Sequence, residues 1–312
     1  MQWQWQWRGV IGFLGVFALA ASPALAQPEP AGMNRPVTRT VTTADGWTLP
    51  MDYYYPHNEQ TPPTTTQNTP VVILLHGAGG NRLVWKGVAT KLQQTGFAVV
   101  AVDLRKHGES QAPPGYRGKT AELTPIDYQA MAALDLPAVK RFLLAEHENK
   151  RLNIRKTAIV AADDTVPVAL TFAVADWLQQ PFPDAPTLAA RTPRGQDIRA
   201  IAMLSPSDVA GRLSANNAAR MLNNDIWMVA AWIGVGQEDR ADDGAAQVIY
   251  DRLTAGVGNE RVIFNEFERV KVRGTELLNL RGINVEGQLV DFLNTSLKAL
   301  DAPWRTRVSP LE

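Results

Sequence analysis

Residues Val71-Val72-Ile73-Leu74-Leu75-His76-Gly77-Ala78-Gly79-Gly80-Asn81 pass from five consecutive apolar side chains into a loop with three glycines in four positions. An uninterrupted apolar run this short reads as a strand covered on both faces, since a strand with one wet face would alternate. The glycines allow a sharp turn and close backbone approach. Further along, Val99-Val100-Ala101-Val102-Asp103-Leu104-Arg105-Lys106-His107-Gly108-Glu109-Ser110 has the same form, a buried strand running into a charged, glycine-containing turn.

Outward from these two stretches, short apolar runs alternate with helical patterns. The runs are 71–75, 98–102, 157–160, 200–204, 226–233 and 262–267, and the helices are expected near 81–95, 127–146, 165–179, 209–222, 242–255 and 286–299. Upstream, 37–43, the turn Ala44-Asp45-Gly46 and 47–55 read as a β-hairpin. Together they predict an α/β fold with a mostly parallel sheet of about eight strands covered by helices on both faces. The Thr- and Pro-rich 61–70 is expected to be a surface loop, and 181–197, with its four prolines, an irregular segment bordering any site mouth.

The N-terminus carries an export signal pattern: Arg8, the apolar run 10–20, then Ala24-Leu25-Ala26, a small-x-small cleavage site. The apolar run is shorter than the roughly 20 residues that cross a bilayer, so no stable membrane span is expected. The sequence thus divides into a signal peptide over 1–26, a disordered segment over 27–36, a single domain over 37–300 and a C-terminal tail over 301–312. The expected localisation is exported, periplasmic or secreted after cleavage near Ala26. The chain has no cysteine, which excludes disulfides and a lipobox anchor. With 31 basic and 31 acidic residues, no net field steers it toward nucleic acid or an anionic surface.

The strand and His-Gly loop at 71–81 and the Asp-x-Arg-x-His-Gly-x-Ser turn at 103–110 resemble the α/β-hydrolase superfamily, in particular its dienelactone hydrolase and esterase-like members. The resemblance extends more weakly over residues 37 to 300. It implies an oxyanion-hole-like set at Ala78, Gly79 and the residue after the nucleophile, Asp164. It also places the nucleophile at the turn after the next core strand, normally Gly-x-Ser-x-Gly. Here that turn is Ala161-Ala162-Asp163-Asp164-Thr165, with Asp163 at the serine position.

An aspartate nucleophile is known chemistry in this superfamily, but it needs a histidine base downstream. All four histidines, His57, His76, His107 and His147, precede Asp163. The segment Val272-Arg273-Gly274-Thr275-Glu276-Leu277-Leu278 resembles the family's His-Gly-Thr-x-Leu-Leu, so Arg273 takes the histidine's place. A guanidinium cannot accept a proton near neutrality. The acid position corresponds to Asp239, in Gly236-Gln237-Glu238-Asp239. If the fold is kept, Arg273 is expected between Asp163 and Asp239, the triad converted into an ion-pair network.

His76, Ser205 and Ser207 are candidate ligand contacts. His76 is otherwise read as a loop support, Ser207 or Asp208 as a helix cap, and Ser110 as the cap of the segment after its turn. Trp85, Trp177, Trp227 and Trp232 fall at core-like spacings. No metal site is expected, because no cysteine exists and the histidines never occur at ligand spacing. No cofactor is implied. The leading expectation is an exported pseudoenzyme that binds a small-molecule ligand or a protein partner. The alternative is an esterase-like hydrolase of carboxylic esters with a non-standard catalytic arrangement, and a third reading is a rigid structural or adhesive body.

Overall fold

A computed structural model of the chain describes residues 35–58, 61–256, 258 and 260–311. The predicted signal peptide and residues 27–34 of the segment after it lie outside the described residues.

The hairpin is β1 (Val37–Thr42) and β2 (Thr48–Tyr54), after which come the four-residue helix α1 (Pro63–Thr66) and β3 (Val71–Leu75). Next are α2 (Lys86–Gln94), β4 (Ala98–Val102), α3 (Pro125–Ala130), α4 (Leu136–Glu148), β5 (Thr157–Ala162) and α5 (Val166–Leu178). The chain continues through β6 (Ile198–Leu204), the short pair β7 (Val209–Ala210) and β8 (Leu213–Ser214), α6 (Ala215–Leu222), β9 (Ala230–Gly236), α7 (Ala245–Thr254), β10 (Val262–Phe267) and α8 (Val285–Leu293). Eight strands form one sheet in the order β1-β2-β4-β3-β5-β6-β9-β10. The pairs β1–β2 and β2–β4 are antiparallel and the rest are parallel.

Both faces of the sheet are apolar, which is why its central strands read as continuous runs. Val71, Ile73 and Leu75 point with Ile159, Met203 and Ile233 into a core closed by α4, α5, α6 and α7. The alternate residues Val72, Leu74, Val160, Ala202 and Trp232 point into a second core closed by α2 and α8. Trp85, Trp177 and Trp232 are buried in these cores, and Trp227 stacks on Trp177 with centroids 5.6 Å apart.

Three elements differ from the sequence expectation. The helix read at 209–222 starts only at Ala215, because β7 and β8 make a tight hairpin first, and Gly211 turns it with φ +60°. The cap is Ser214, whose Oγ accepts from the Asn217 N–H at 3.3 Å, and neither Ser207 nor Asp208 caps the helix. The strand read at 226–233 begins at Ala230, because the Asn224 side chain accepts from the N–H groups of Ile226 and Trp227 and holds them in a turn. The loop at 61–70 contains α1.

The C-terminal tail packs on this domain. Residues 301–311 belong to the same compact unit as the sheet, and Ala302, Arg307 and Ser309 are buried. Arg307 bonds to Asp197 and to the carbonyls of Pro193 and Gly195, and Trp304 Nε1 donates to the His147 carbonyl at 3.0 Å.

Candidate functional site

The site stands at the C-terminal ends of the parallel strands. β5 ends at Ala162, and the next residue, Asp163, has φ +54°, a left-handed conformation that costs a non-glycine residue of order 1–3 kcal/mol. A single tight turn over Asp163–Thr165 then leads into α5, with Pro167 in its first turn. The turn is tied down from inside by the Thr165 hydroxyl, which donates to the Ala162 carbonyl at 2.8 Å. This sharp strand-turn-helix lifts the Asp163 side chain clear of the sheet edge.

Two glycines on other loops make room for that carboxylate. A Cβ on Gly77 would lie 2.6 Å from Asp163 Oδ2, and one on Gly274 would overlap the same oxygen. Gly274 also has φ +56°, a left-handed conformation that glycine adopts without steric cost.

Arg273, at the start of the loop after β10, donates from Nε to Asp163 Oδ1 at 2.6 Å and from Nη2 to the Ser205 carbonyl at 3.0 Å. Asp239 follows β9, and its Oδ2 lies 3.9 Å from the same Nε. The structure thus brings Asp163, Arg273 and Asp239 together, with the cation between the two carboxylates. Asp239 is 3% exposed, while Asp163 and Arg273 are 27% and 28% exposed. Burial pushes the Asp163 carboxyl above its ordinary value, and Arg273 works against that shift.

The oxyanion-hole-like residues have an arrangement that the sequence does not disclose. The Ala78 N–H donates to Asp164 Oδ1 at 2.7 Å, and the Tyr128 hydroxyl, from α3, donates to Asp164 Oδ2 at 2.5 Å. The Ala78 N–H is therefore already engaged by a carboxylate. Gly79 turns the loop with φ +74°. Tyr128 carries no motif signal, being 36 residues from Asp164 in sequence.

His76 is fully buried beneath this loop, Nδ1–H donating to the Gly77 carbonyl at 2.9 Å and Nε2 accepting weakly from the Leu104 N–H at 3.4 Å. Burial lowers its pKa to about 4, and the ring packs on His107 at 4.7 Å. It is a neutral support of the loop with no nitrogen left for a ligand. Ser205 is also fully buried, held at φ +45°, so the expected ligand contact there is replaced by a carbonyl that anchors Arg273. Ser207 lines the cleft and its N–H holds the Asp163 carbonyl at 3.1 Å. Ser110 does not cap the segment after its turn; its Oγ reaches back and accepts from the His107 N–H at 3.1 Å. His57 bonds to the Thr69 hydroxyl at 2.7 Å and His147 to the Arg305 carbonyl at 2.8 Å.

Residues 70–155 match the family model described as alpha/beta hydrolase fold. Among solved structures, a dienelactone hydrolase from Anabaena variabilis is 16% identical with a TM-score of 0.56, covering 85% of this chain and 100% of that one. The fold is that of the α/β-hydrolase superfamily. An esterase from Pyrococcus furiosus is similar at 13% identity and TM-score 0.58, over 84% of this chain and 91% of its own. A 44-residue stretch is 48% identical to an uncharacterized protein of Mycobacterium tuberculosis, but spans only 13% of that relative's length.

In an α/β-hydrolase fold the turn after β5 is the nucleophile elbow, and the loop after the last strand presents the base. In this chain the turn after β5 presents a carboxylate, Asp163, and the loop after β10 presents a guanidinium bonded to it, Arg273. The cleft above them, about 530 Å³, is lined by His76 and residues 77–80 of its loop, by Asp163, Asp164 and Ser207, and by Arg273, Thr275 and Glu276.

Proposed function

We propose that this chain is an exported α/β-hydrolase-fold protein that has given up ester hydrolysis and uses the former catalytic cleft to bind a ligand. Export is supported by the signal pattern ending at Ala26, and a mature protein beginning near Gln27 is the expected product. The observation that carries the loss of turnover is the 2.6 Å ion pair between Arg273 and Asp163. The residue at the base position cannot take a proton, and it neutralises the only nucleophile the elbow offers. The Asp164 carboxylate on the Ala78 N–H adds a second obstacle, since an oxyanion arriving there would meet like charge. Asp163, Asp164 and Glu276 face the cleft against one guanidinium already paired, an arrangement that favours a small ligand bringing hydrogen-bond donors or positive charge over an anion.

The test is reversion. Asp163→Ser with Arg273→His restores the family's nucleophile and base but leaves Asp164 on the oxyanion donor. Adding Asp164→Ala frees it. One oxyanion-hole donor contributes roughly 100- to 1000-fold in kcat, so the triple variant should hydrolyse p-nitrophenyl acetate about 100-fold faster than the double variant. A double variant as fast as the triple contradicts the blocked hole. A triple variant that folds but stays silent contradicts a surviving cleft.

A further inference from the structure

At the opposite end of the strands from Asp163 lies a cavity of about 640 Å³, within the range of small-molecule sites, roughly 300–1000 Å³. It opens where β6, β9 and β10 begin, beside α8, and is walled by Ile226, Met228, Ile263, Trp232 and Phe292. Two of these walls are held outward. Ile226 is 84% and Met228 59% exposed, although both are large and apolar. They are fixed there by the Asn224 turn, and Met228 sits at φ +53°, a conformation that no local sequence preference explains.

The same cavity contains a cation without a counter-ion. Arg199, the second residue of β6, lines it, and its buried Nε has no hydrogen-bond partner. No carboxylate forms an ion pair with it among the described residues. Asp176 and Asp197, the buried carboxylates whose charge reaches it, are engaged by Lys140 and, for Asp197, also by Arg307. Its guanidinium carbon lies over the Trp177 ring, 4.7 Å from the centroid, a contact that holds the group without neutralising it. Glu260 and Asp291 at the rim are not paired with it. Beyond it, the Asn265 and Gln288 side-chain amides meet at 2.7 Å, and Arg261, Thr295 and Ser296 add further polar groups to the wall.

We propose that this cavity binds a single-chain amphipathic carboxylate, of the medium-chain fatty acid class, with its head on Arg199 and its tail along Ile226, Met228 and Ile263. A half-buried cation with no ion-pair partner among the described residues calls for an anion, and the apolar walls call for a chain rather than a small hydrophilic ion. The site is independent of the cleft at Asp163, because the two lie at opposite ends of parallel strands.

The experiment is calorimetric titration of the full chain with decanoate, decanol and acetate, each below its aggregation limit. Decanoate should bind and acetate should not, with decanol at least about tenfold weaker than decanoate, the effect of one charge-assisted hydrogen bond. Arg199→Met should bring decanoate down to the level of decanol and leave decanol unchanged. Met228→Asp, at an exposed position that tolerates polarity, should weaken both. Absence of decanoate binding, or decanoate binding that Arg199→Met does not alter, overturns the proposal. So does a dimer abolished by Ile226→Asp and indifferent to decanoate, which would assign the apolar walls to a second copy of the chain.

Discussion

Arg273→Leu removes the cation from between two carboxylates, and the structure sets the size of the effect. The Arg273–Asp163 contact is 2.6 Å long, but both side chains keep over a quarter of their exposure. Its coupling should fall between the ~0.2–1 kcal/mol of solvent-exposed pairs and the ~3–5 kcal/mol lost on breaking a buried one, at about 1–2 kcal/mol. The full cost is larger, about 2–3 kcal/mol, because the substitution also strips the Ser205 carbonyl of its donor and leaves Asp239 facing Asp163. With the guanidinium gone, nothing offsets the burial that already holds the Asp163 carboxyl above 3.8. Its folded-state pKa then lies further above that of the unfolded chain, so between the two values the folded state keeps the extra proton and stability falls as pH rises. The deficit of Arg273→Leu relative to wild type is therefore small near pH ~4 and grows toward neutrality. The assay is urea unfolding followed by tryptophan fluorescence, for wild type, Arg273→Leu, Asp163→Asn and the double variant at several pH values. A coupling below about 0.3 kcal/mol, the limit within which independent sites add, or a deficit that does not change with pH, would refute the reasoning.

Other regions give separate predictions. His76, with a pKa lowered to about 4, should stay neutral in the folded protein; between that value and the 6.5 of the unfolded chain the unfolded state binds the extra proton, so stability attributable to His76 declines as pH falls through this window. Proton NMR of its ring should show no titration above pH ~5, and an inflection near 6.5 would show a solvated ring. Arg307→Ala leaves the buried Asp197 carboxylate with Lys140 as its remaining cation and undocks the C-terminal segment. The expected loss is about 3 kcal/mol with early proteolytic cleavage after residue 300; a variant as resistant as wild type would show that the segment is not held by this contact.

The central strands were legible because burial on both faces leaves no polar residue to interrupt them, and 71–75 and 98–102 coincide with observed strands. At 226–229, local hydrogen bonding overrode an apolar pattern. Residues 226–229 look like the start of a strand, yet the Asn224 side-chain oxygen captures the N–H groups of Ile226 and Trp227. Helix α6 starts late because Gly211 turns a hairpin whose register no periodicity announces. In the site, Asp163, Asp239 and Arg273 could be named because each follows a recognisable motif at the end of a strand. The Ala78–Asp164–Tyr128 chain could not, since its contacts join residues 86 and 36 apart through tertiary packing. Arg199 was invisible for the opposite reason. Only the absence of a partner in three dimensions distinguishes it from any other arginine.

The central claim is that the elbow carries an ion pair where a serine hydrolase has its nucleophile and base. Exposing the purified wild-type chain to a fluorophosphonate probe, with p-nitrophenyl butyrate turnover measured in parallel, tests it most directly. The account predicts no covalent label and no hydrolysis above the buffer rate. Stoichiometric labelling of one serine, together with turnover lost when that serine is replaced, would contradict it.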